Sequence, residues 1–245
     1  MLSIVVPAYN EEVRLSKTLS EIQNHAAGRI YEIIVVDDGS SDRTAEIAEK
    51  FGCLMIRHPV NMGKGAAVKT GVMTSRGETV LITDADMAAP ISELPKLEAA
   101  LEKGLDVVMG SRVAPGAKVV RATFKRKLAG KVFNLLVRLL TGLPYRDTQC
   151  GFKLFRGDAA RELFSRAACE GYCFDVEVLL LAREMGLKVE EVGICWADVP
   201  GSKVRLFRDS LRMFRELLKV RKAAGNCSPA IIGTSAPESA SSPAS

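Results

Sequence analysis

Five times between residues 2 and 112 a short run of aliphatic and β-branched residues appears, and after the first four a segment with helical spacing follows. "LSIVVPA" precedes "EEVRLSKTLSEIQNHA", "YEIIVVDD" precedes "SDRTAEIAEKFG", and "CLMIRH" precedes "GKGAAVKTGVMTS". "ETVLITDAD" then leads to "ISELPKLEAALEKG", and "LDVVMGSR" leads into a basic stretch. Apolar runs bounded by Gly, Asp and Pro mark parallel strands buried on both faces, and apolar repeats at three and four mark the helices that cover them. This alternation predicts an α/β, doubly wound, Rossmann-like and mostly parallel sheet flanked by helices. Ser41 and Asp42 are placed to start one helix, and Pro90 to open another with Ser92 and Glu93 in its first turn.

At 245 residues and 47% hydrophobic the chain can bury one substantial core, and no internal boundary interrupts it before residue 225. One domain over 1–225 is expected. The remainder, 226–245, turns abruptly to Ser, Ala and Pro and is expected to be a disordered tail. A net charge of +5 is too modest to imply a nucleic-acid partner, but the excess Lys and Arg gather after residue 111. Six cysteines with no C-x-x-C pair and only two histidines argue against a zinc site or a disulfide framework, and favour reduced thiols in the cytoplasm. Neither a signal peptide nor an apolar run of about 18 residues is present, so membrane contact is expected to be peripheral.

In such sheets ligands bind beyond the carboxyl ends of the strands. Those positions are strongly polar here: Pro7, Tyr9, Asn10 and Glu11; then Asp37, Asp38 and Gly39; then Arg57, Asn61, Gly63, Lys64 and Gly65; then Asp84 and Asp86; then Arg112. Any one cluster could be a capped turn. Five on one edge, with both charge signs, suggest a polyanion and a hard divalent cation held together by oxygen ligands. In "NMGKGAA" the glycines suit backbone near a helix N-terminus, where free N–H groups and Lys64 could face phosphate. The segment is not a Walker A loop, and no G-x-G-x-x-G follows the first strand.

In order, "IVVPAYNEE", "IIVVDDGSSDRT", "NMGKGAAVKTG", "TDADMAAPISEL", "VMGSR", "DTQCGFKLF" and "CFDVEVL" resemble the family-two glycosyltransferases with a GT-A fold. Within them the pattern is most similar to the dolichyl-phosphate glucosyltransferase branch of the polyprenyl-phosphate sugar transferases. The resemblance covers residues 2 to 222. It implies inverting transfer of a hexose, glucose from UDP-glucose, from a nucleotide-diphosphate sugar to a polyprenyl (dolichyl-type) phosphate, assisted by Mg²⁺ or Mn²⁺. By position, it implies that Pro7, Tyr9 and Glu11 flank base and ribose, that Asp38 bonds the base edge, and that Lys64 and Arg112 face the diphosphate. Asp84 would contact ribose or sugar, and Asp86 would ligate the metal. Related mannosyltransferases carry "DADLQH" with a metal-binding Gln where this chain has Ala88, which counts against a mannosyl donor and loosens the expected metal site.

For the acceptor, two basic amphipathic stretches stand out, residues 121–143 and 204–222. Leu128, Val132, Leu135, Leu136, Leu139 and Leu140 recur at helical spacing in the first, among Lys125, Arg126, Lys127, Lys131 and Arg138. Such a helix can pack on the domain or lie on an anionic bilayer surface; the resemblance favours the latter, on the inner face of the membrane. Inversion implies one displacement at the anomeric carbon. A phosphate acceptor, ionised near neutral pH with a second pKa of about 6, depends less on a base than a hydroxyl does. Asp147 is the favoured base or orienting residue by resemblance, with Asp175 and Glu177 as rivals. Trp196 and the loop 199–204 resemble an acceptor lid, although a single Trp also suits a core. Alternatives are a GDP-mannose donor or a hydroxyl acceptor, and at greater distance an aspartate-based phosphohydrolase using Asp84 and Asp86, or a non-catalytic nucleotide-sugar binder.

Overall fold

A computed structural model describes residues 1–120, 124–199 and 206–225. Its seven-stranded sheet contains β1 (Leu2–Ala8), β2 (Tyr31–Asp37), β3 (Leu54–Arg57), β4 (Thr79–Ile82), β5 (Val107–Ser111), β7 (Lys153–Arg156) and β8 (Val189–Gly193), in the order β3-β2-β1-β4-β7-β5-β8. All pairings are parallel except those of β7, which runs antiparallel between β4 and β5. The five strands expected from the sequence are present. β7 was not expected. A separate parallel ribbon joins β6 (Lys118–Val120) to β9 (Cys195–Ala197).

The helices are α1 (Leu15–Ala26), α2 (Thr44–Lys50), α3 (Lys64–Thr74), α4 (Leu94–Leu101), α5 (Phe124–Thr141), α6 (Gly157–Arg166), α7 (Phe174–Glu184) and α8 (Leu206–Gly225). They cover both faces, as the all-buried β1 requires. Ile4 and Val6 of β1 pack with Leu15, Leu19, Leu94 and Leu97 of α1 and α4. Val5, facing the opposite way, packs with Val68, Phe164 and Phe174 of α3, α6 and α7.

Two helix starts differ from expectation. Glu11 to Arg14 form a turn before α1, with the Glu11 carbonyl accepting from Arg14 N at 3.0 Å and Leu15 N at 2.9 Å. Pro90 precedes a 3-10 turn, Ile91–Glu93, and α4 itself begins at Leu94 with Pro95 in its first turn. The tail 226–245 and most of the loop 199–204 lie outside the described residues.

Strand order reverses between β1 and β4, and there the two strands are unequal. β4 pairs with β1 only from Leu2↔Thr79 to Val5↔Ile82, whereas β1 continues beside β2 to Ala8↔Asp37. Val5 O accepts from Thr83 N and Ala8 O from Asp38 N, so Pro7, in phase with Val5, turns its missing donor towards the side where β4 has ended. A proline inside a central strand is tolerated for that reason. The same inequality opens the sheet edge at the switch point, the usual place for a ligand crevice.

Candidate active site

The loop after β4 carries Asp84 and Asp86 into this crevice. Lys64, the first residue of α3, places Nζ 2.6 Å from Asp84 Oδ1 and lies 6.0 Å from the centre of the Phe174 ring. Gly151 approaches so closely that a Cβ there would lie 2.1 Å from Asp84 Oδ2. Asp86 Oδ1 accepts from Ala88 N at 3.1 Å, and its other oxygen is 4.0 Å from Arg14 Nη1. Met87, with φ 52°, makes the turn, and the Thr18 hydroxyl donates to Ala85 O at 2.8 Å, pinning the loop to α1.

The two carboxyls differ electrostatically. Burial disfavours the charge of Asp84, but Lys64 above all, with Lys153 and Arg112, outweighs it and holds that carboxyl below its ordinary range. Burial and the Asp84 charge push Asp86 up, against the Ala88 N–H, Arg14 and Lys64. Lys64 is raised, because Asp84 and Asp175 more than offset burial. The Asp84 and Asp86 pair thus holds hard oxygen donors under mutual repulsion, which a cation relieves. These residues fit a hard divalent ion, to which they would supply part of its oxygen ligands. Among the described residues no group of three or more His, Cys, Asp or Glu side chains is gathered to hold a metal unaided.

Pro7 is buried in β1, and Tyr9, the residue after that strand, is 41% exposed. Glu11 pairs with Arg14 at 2.6 Å while its backbone N–H donates to Thr44 Oγ1 at 2.7 Å. Asp38 is buried and turned inward: it accepts from Met62 N at 2.9 Å and Gly63 N at 2.8 Å, and lies 2.8 Å from His58 Nδ1. It therefore braces the loop before α3.

The α3 N-terminus also departs from expectation. Gly65 N and Ala66 N are not free for phosphate, because they donate to Glu170 O at 2.8 and 3.2 Å. A Cβ on Gly63 would lie 2.4 Å from Glu170 O, and one on Gly65 would lie 2.2 Å from Cys169 O. The glycines accommodate this loop, and Lys64 alone is left to reach the crevice.

At the end of β5, Arg112 forms a two-pronged pair with Asp147: Nε to Oδ2 at 2.8 Å and Nη2 to Oδ1 at 2.6 Å, with Arg112 N also on Oδ2 at 2.8 Å. Burial works against the Arg112 charge, but Asp147 raises its pKa further. Glu191 on β8 accepts from Arg146 N and Asp147 N at 2.8 and 2.7 Å, and Trp196 on β9 stacks 5.4 Å from the Arg112 guanidinium. Asp147, with both oxygens on Arg112, has the geometry of an orienting residue.

Asp175, at the start of α7, is buried against Lys153 Nζ, which also donates to Cys150 O. Burial raises the Asp175 carboxyl, with Lys153 and then Lys64 opposing. Glu177 is held away from the crevice, accepting from Ala168 N at 3.0 Å and Cys169 N at 2.7 Å. Sequence reasoning missed Lys153, Glu191 and Arg14. A lysine inside the apolar run "FKLF" was the available signal for Lys153.

The arrangement shares its fold with solved sugar-nucleotide enzymes. Glucosyl-3-phosphoglycerate synthase from Mycobacterium tuberculosis, solved with Mn²⁺, UDP-glucose and phosphoglyceric acid, superposes with a TM-score of 0.70 at 21% identity, over 94% of this chain and 81% of that one. This is the GT-A glycosyltransferase fold. At sequence level the Glycosyl transferase family 2 model matches residues 3–164. Dolichyl-phosphate beta-glucosyltransferase ALG5D of Trichomonas vaginalis is 39% identical, covering 89% of this chain and 72% of the relative. The Homo sapiens dolichyl-phosphate beta-glucosyltransferase is 36% identical over 90% and 74%, and that of Saccharomyces cerevisiae 34% identical over 91% and 74%. The chain belongs to glycosyl transferase family 2, and its activity is that of a glycosyltransferase.

Proposed function

We propose that this chain transfers glucose from UDP-glucose, with inversion, to a dolichyl-type polyprenyl phosphate at a membrane surface. The supporting observation is the sheet edge beyond β1, β4 and β5, where Lys64 pairs with Asp84 and Arg112 lowers the same carboxyl, with Asp86 two residues on, in a chain whose relatives are named dolichyl-phosphate beta-glucosyltransferases. In this reading residues 1–225 act as one catalytic domain, with Pro7, Tyr9 and Glu11 around the nucleoside.

Asp86, with Asp84 beside it, would hold a divalent cation, for which Mn²⁺ in the solved neighbour is a precedent. Bound there, the ion supplies charge neutralisation to the diphosphate. Lys64 adds a second positive charge to the leaving diphosphate, and Arg112, aimed by Asp147, a third. Asp84 orients the ribose or sugar hydroxyls. The phosphate acceptor arrives ionised, so no carboxylate has to remove a proton, and Asp147 and Asp175 act by holding Arg112 and Lys153.

The acceptor reading draws on α5 as well. Val132, Leu135 and Leu139 are 51%, 53% and 73% exposed at helical spacing, beside exposed Lys131 and Arg138. Val137 on the opposite side is buried, and α8 packs alongside. An apolar stripe bordered by basic residues suits the headgroup region of an anionic leaflet, with basic side chains contributing about 1 kcal/mol each. No helix among the described residues is long and apolar enough to cross a membrane. We place the chain on the cytoplasmic face, bound peripherally.

The test is transfer of radiolabelled glucose from UDP-glucose to dolichyl phosphate in anionic vesicles. A glucosylated lipid and free UDP are expected. Preference for GDP-mannose, or equal transfer to a soluble sugar hydroxyl without vesicle binding, would overturn the reading.

A further inference from the structure

The segment 168–175 touches the start of α3, Lys64 and Lys153, and it is gripped at both ends by carboxylates from outside it. At its start Glu177 accepts from Ala168 N and Cys169 N. In its middle Glu170 O caps α3 through Gly65 N and Ala66 N. At its end Phe174 lies under Lys64 and Asp175 pairs with Lys153. The second grip comes from α8. Glu216 Oε2 accepts from Cys173 N at 3.2 Å, Oε1 accepts from Arg212 Nε at 2.9 Å, and the carboxylate lies against Gly171, where a Cβ would meet Oε1 at 2.1 Å. Met213 O, one turn earlier on α8, accepts from Cys173 Sγ at 3.0 Å.

We infer that Glu216 is a positioning residue for the donor diphosphate: through segment 169–173 it sets the α3 N-terminus and hence Lys64. The inference rests on the reading of Lys64 as a diphosphate ligand. Cys173 is buried while Glu216 covers it, so its N–H, once abandoned by Glu216, loses its acceptor, and the segment is released to shift until another acceptor satisfies it. The shift is felt at Glu170 O and at the helix start it caps. Glu216 also carries this constraint from α8, the helix that packs on α5, so the donor side of the site is mechanically tied to the pair of amphipathic helices.

The test compares Glu216→Ala with Glu216→Gln, whose amide oxygen still accepts from Cys173 N. Glu216→Ala is expected to raise the UDP-glucose KM and the UDP Kd by about five- to ten-fold, the scale of one lost hydrogen bond, with kcat little changed. Glu216→Gln and Arg212→Ala are expected to remain near wild type. Amide hydrogen exchange at Gly65 and Ala66 is read without any ligand, and should accelerate in Glu216→Ala but not in Glu216→Gln. Should Glu216→Ala not fold, Gly171→Ala drives a methyl into the same carboxylate and is expected to give the same signature. Unchanged exchange at Gly65 and Ala66, a Gln variant as impaired as Ala, or a loss confined to kcat would overturn the inference. Failure of the wild-type chain to bind UDP-glucose, with the exchange pattern as expected, would instead remove the proposed donor and leave the mechanical link standing.

Discussion

The parallel half of the sheet, β3-β2-β1-β4, and the mixed half, β7-β5-β8, deliver functional side chains in different ways. In the first, Asp84 and Asp86 follow β4 and Lys64 opens α3, and Lys64 meets Asp84 at the open sheet edge. In the second, Lys153 is the first residue of β7 and Asp147 precedes it by six residues, and both are held by partners from distant elements: Asp175 on α7, Arg112 after β5 and Glu191 on β8. In the proposed reading the parallel half, joined by Arg112 from the mixed half, offers charges to the ligand, and the rest of the mixed half pairs its charges with one another. The difference teaches that a strand end nominates a contact, which the partners found there can remove, as at Asp38, whereas buried reciprocal pairing across the fold marks a support.

If that division is right, Asp86→Asn should have the largest effect. Turnover should fall by at least about a thousand-fold, with metal-dependent UDP binding lost and the thermal unfolding transition retained. Retained metal-dependent binding would place the ligand elsewhere. Lys64→Ala should follow, lowering turnover by about a hundred-fold through loss of one charge on the leaving group.

In the mixed half the large effects should be on stability. Lys153→Met leaves Asp175 buried without its ion-pair partner, and denaturant titration should show about 3–5 kcal/mol lost, whereas Lys153→Met with Asp175→Leu should recover much of it. Full activity in that double variant would show the pair to be scaffolding only. Full stability in the single variant would break the comparison.

pH gives a smaller effect with a definite sign. Because the Asp86 carboxyl is raised, protons compete for it at higher pH than at an ordinary aspartate, so metal-supported UDP binding should weaken as pH falls and begin to do so above the usual carboxylate range. Titrating Kd against pH at fixed Mn²⁺ checks this, and Asp86→Asn should flatten the curve. The smallest effect is expected from Trp196→Leu, which removes the stack on Arg112 but leaves Asp147 to hold it; a loss of about 1 kcal/mol in transition-state stabilisation is predicted from kcat/KM.

The pattern of short apolar runs and helical repeats made the five parallel strands and their covering helices legible, because the two periodicities are local properties of the chain. The strand-end rule likewise made Asp84, Asp86, Lys64 and Arg112 legible as one edge. It also misled. Asp38 satisfies the criterion for a ligand contact equally well, yet its oxygens face Met62, Gly63 and His58, and the glycines beside Lys64 make room for the Glu170 carbonyl rather than exposing N–H groups. Glu177 reads as a catalytic rival in "CFDVEVL", yet it caps the chain nine residues before it. Nothing local distinguishes these outcomes, since each depends on which donor a distant loop brings within reach.

The sequence by itself therefore determined the element types, the side of the sheet on which charge collects, and the family, all of which rest on local spacing and residue identity. Only the tertiary structure decided that β7 enters antiparallel between β4 and β5, that Lys153 and Asp175 neutralise each other, and that α8 reaches segment 168–175 through Glu216. The physical reason is the same for all three. A buried charge or N–H must find a partner, and the partner is set by which segments the fold brings into contact, not by their separation along the chain.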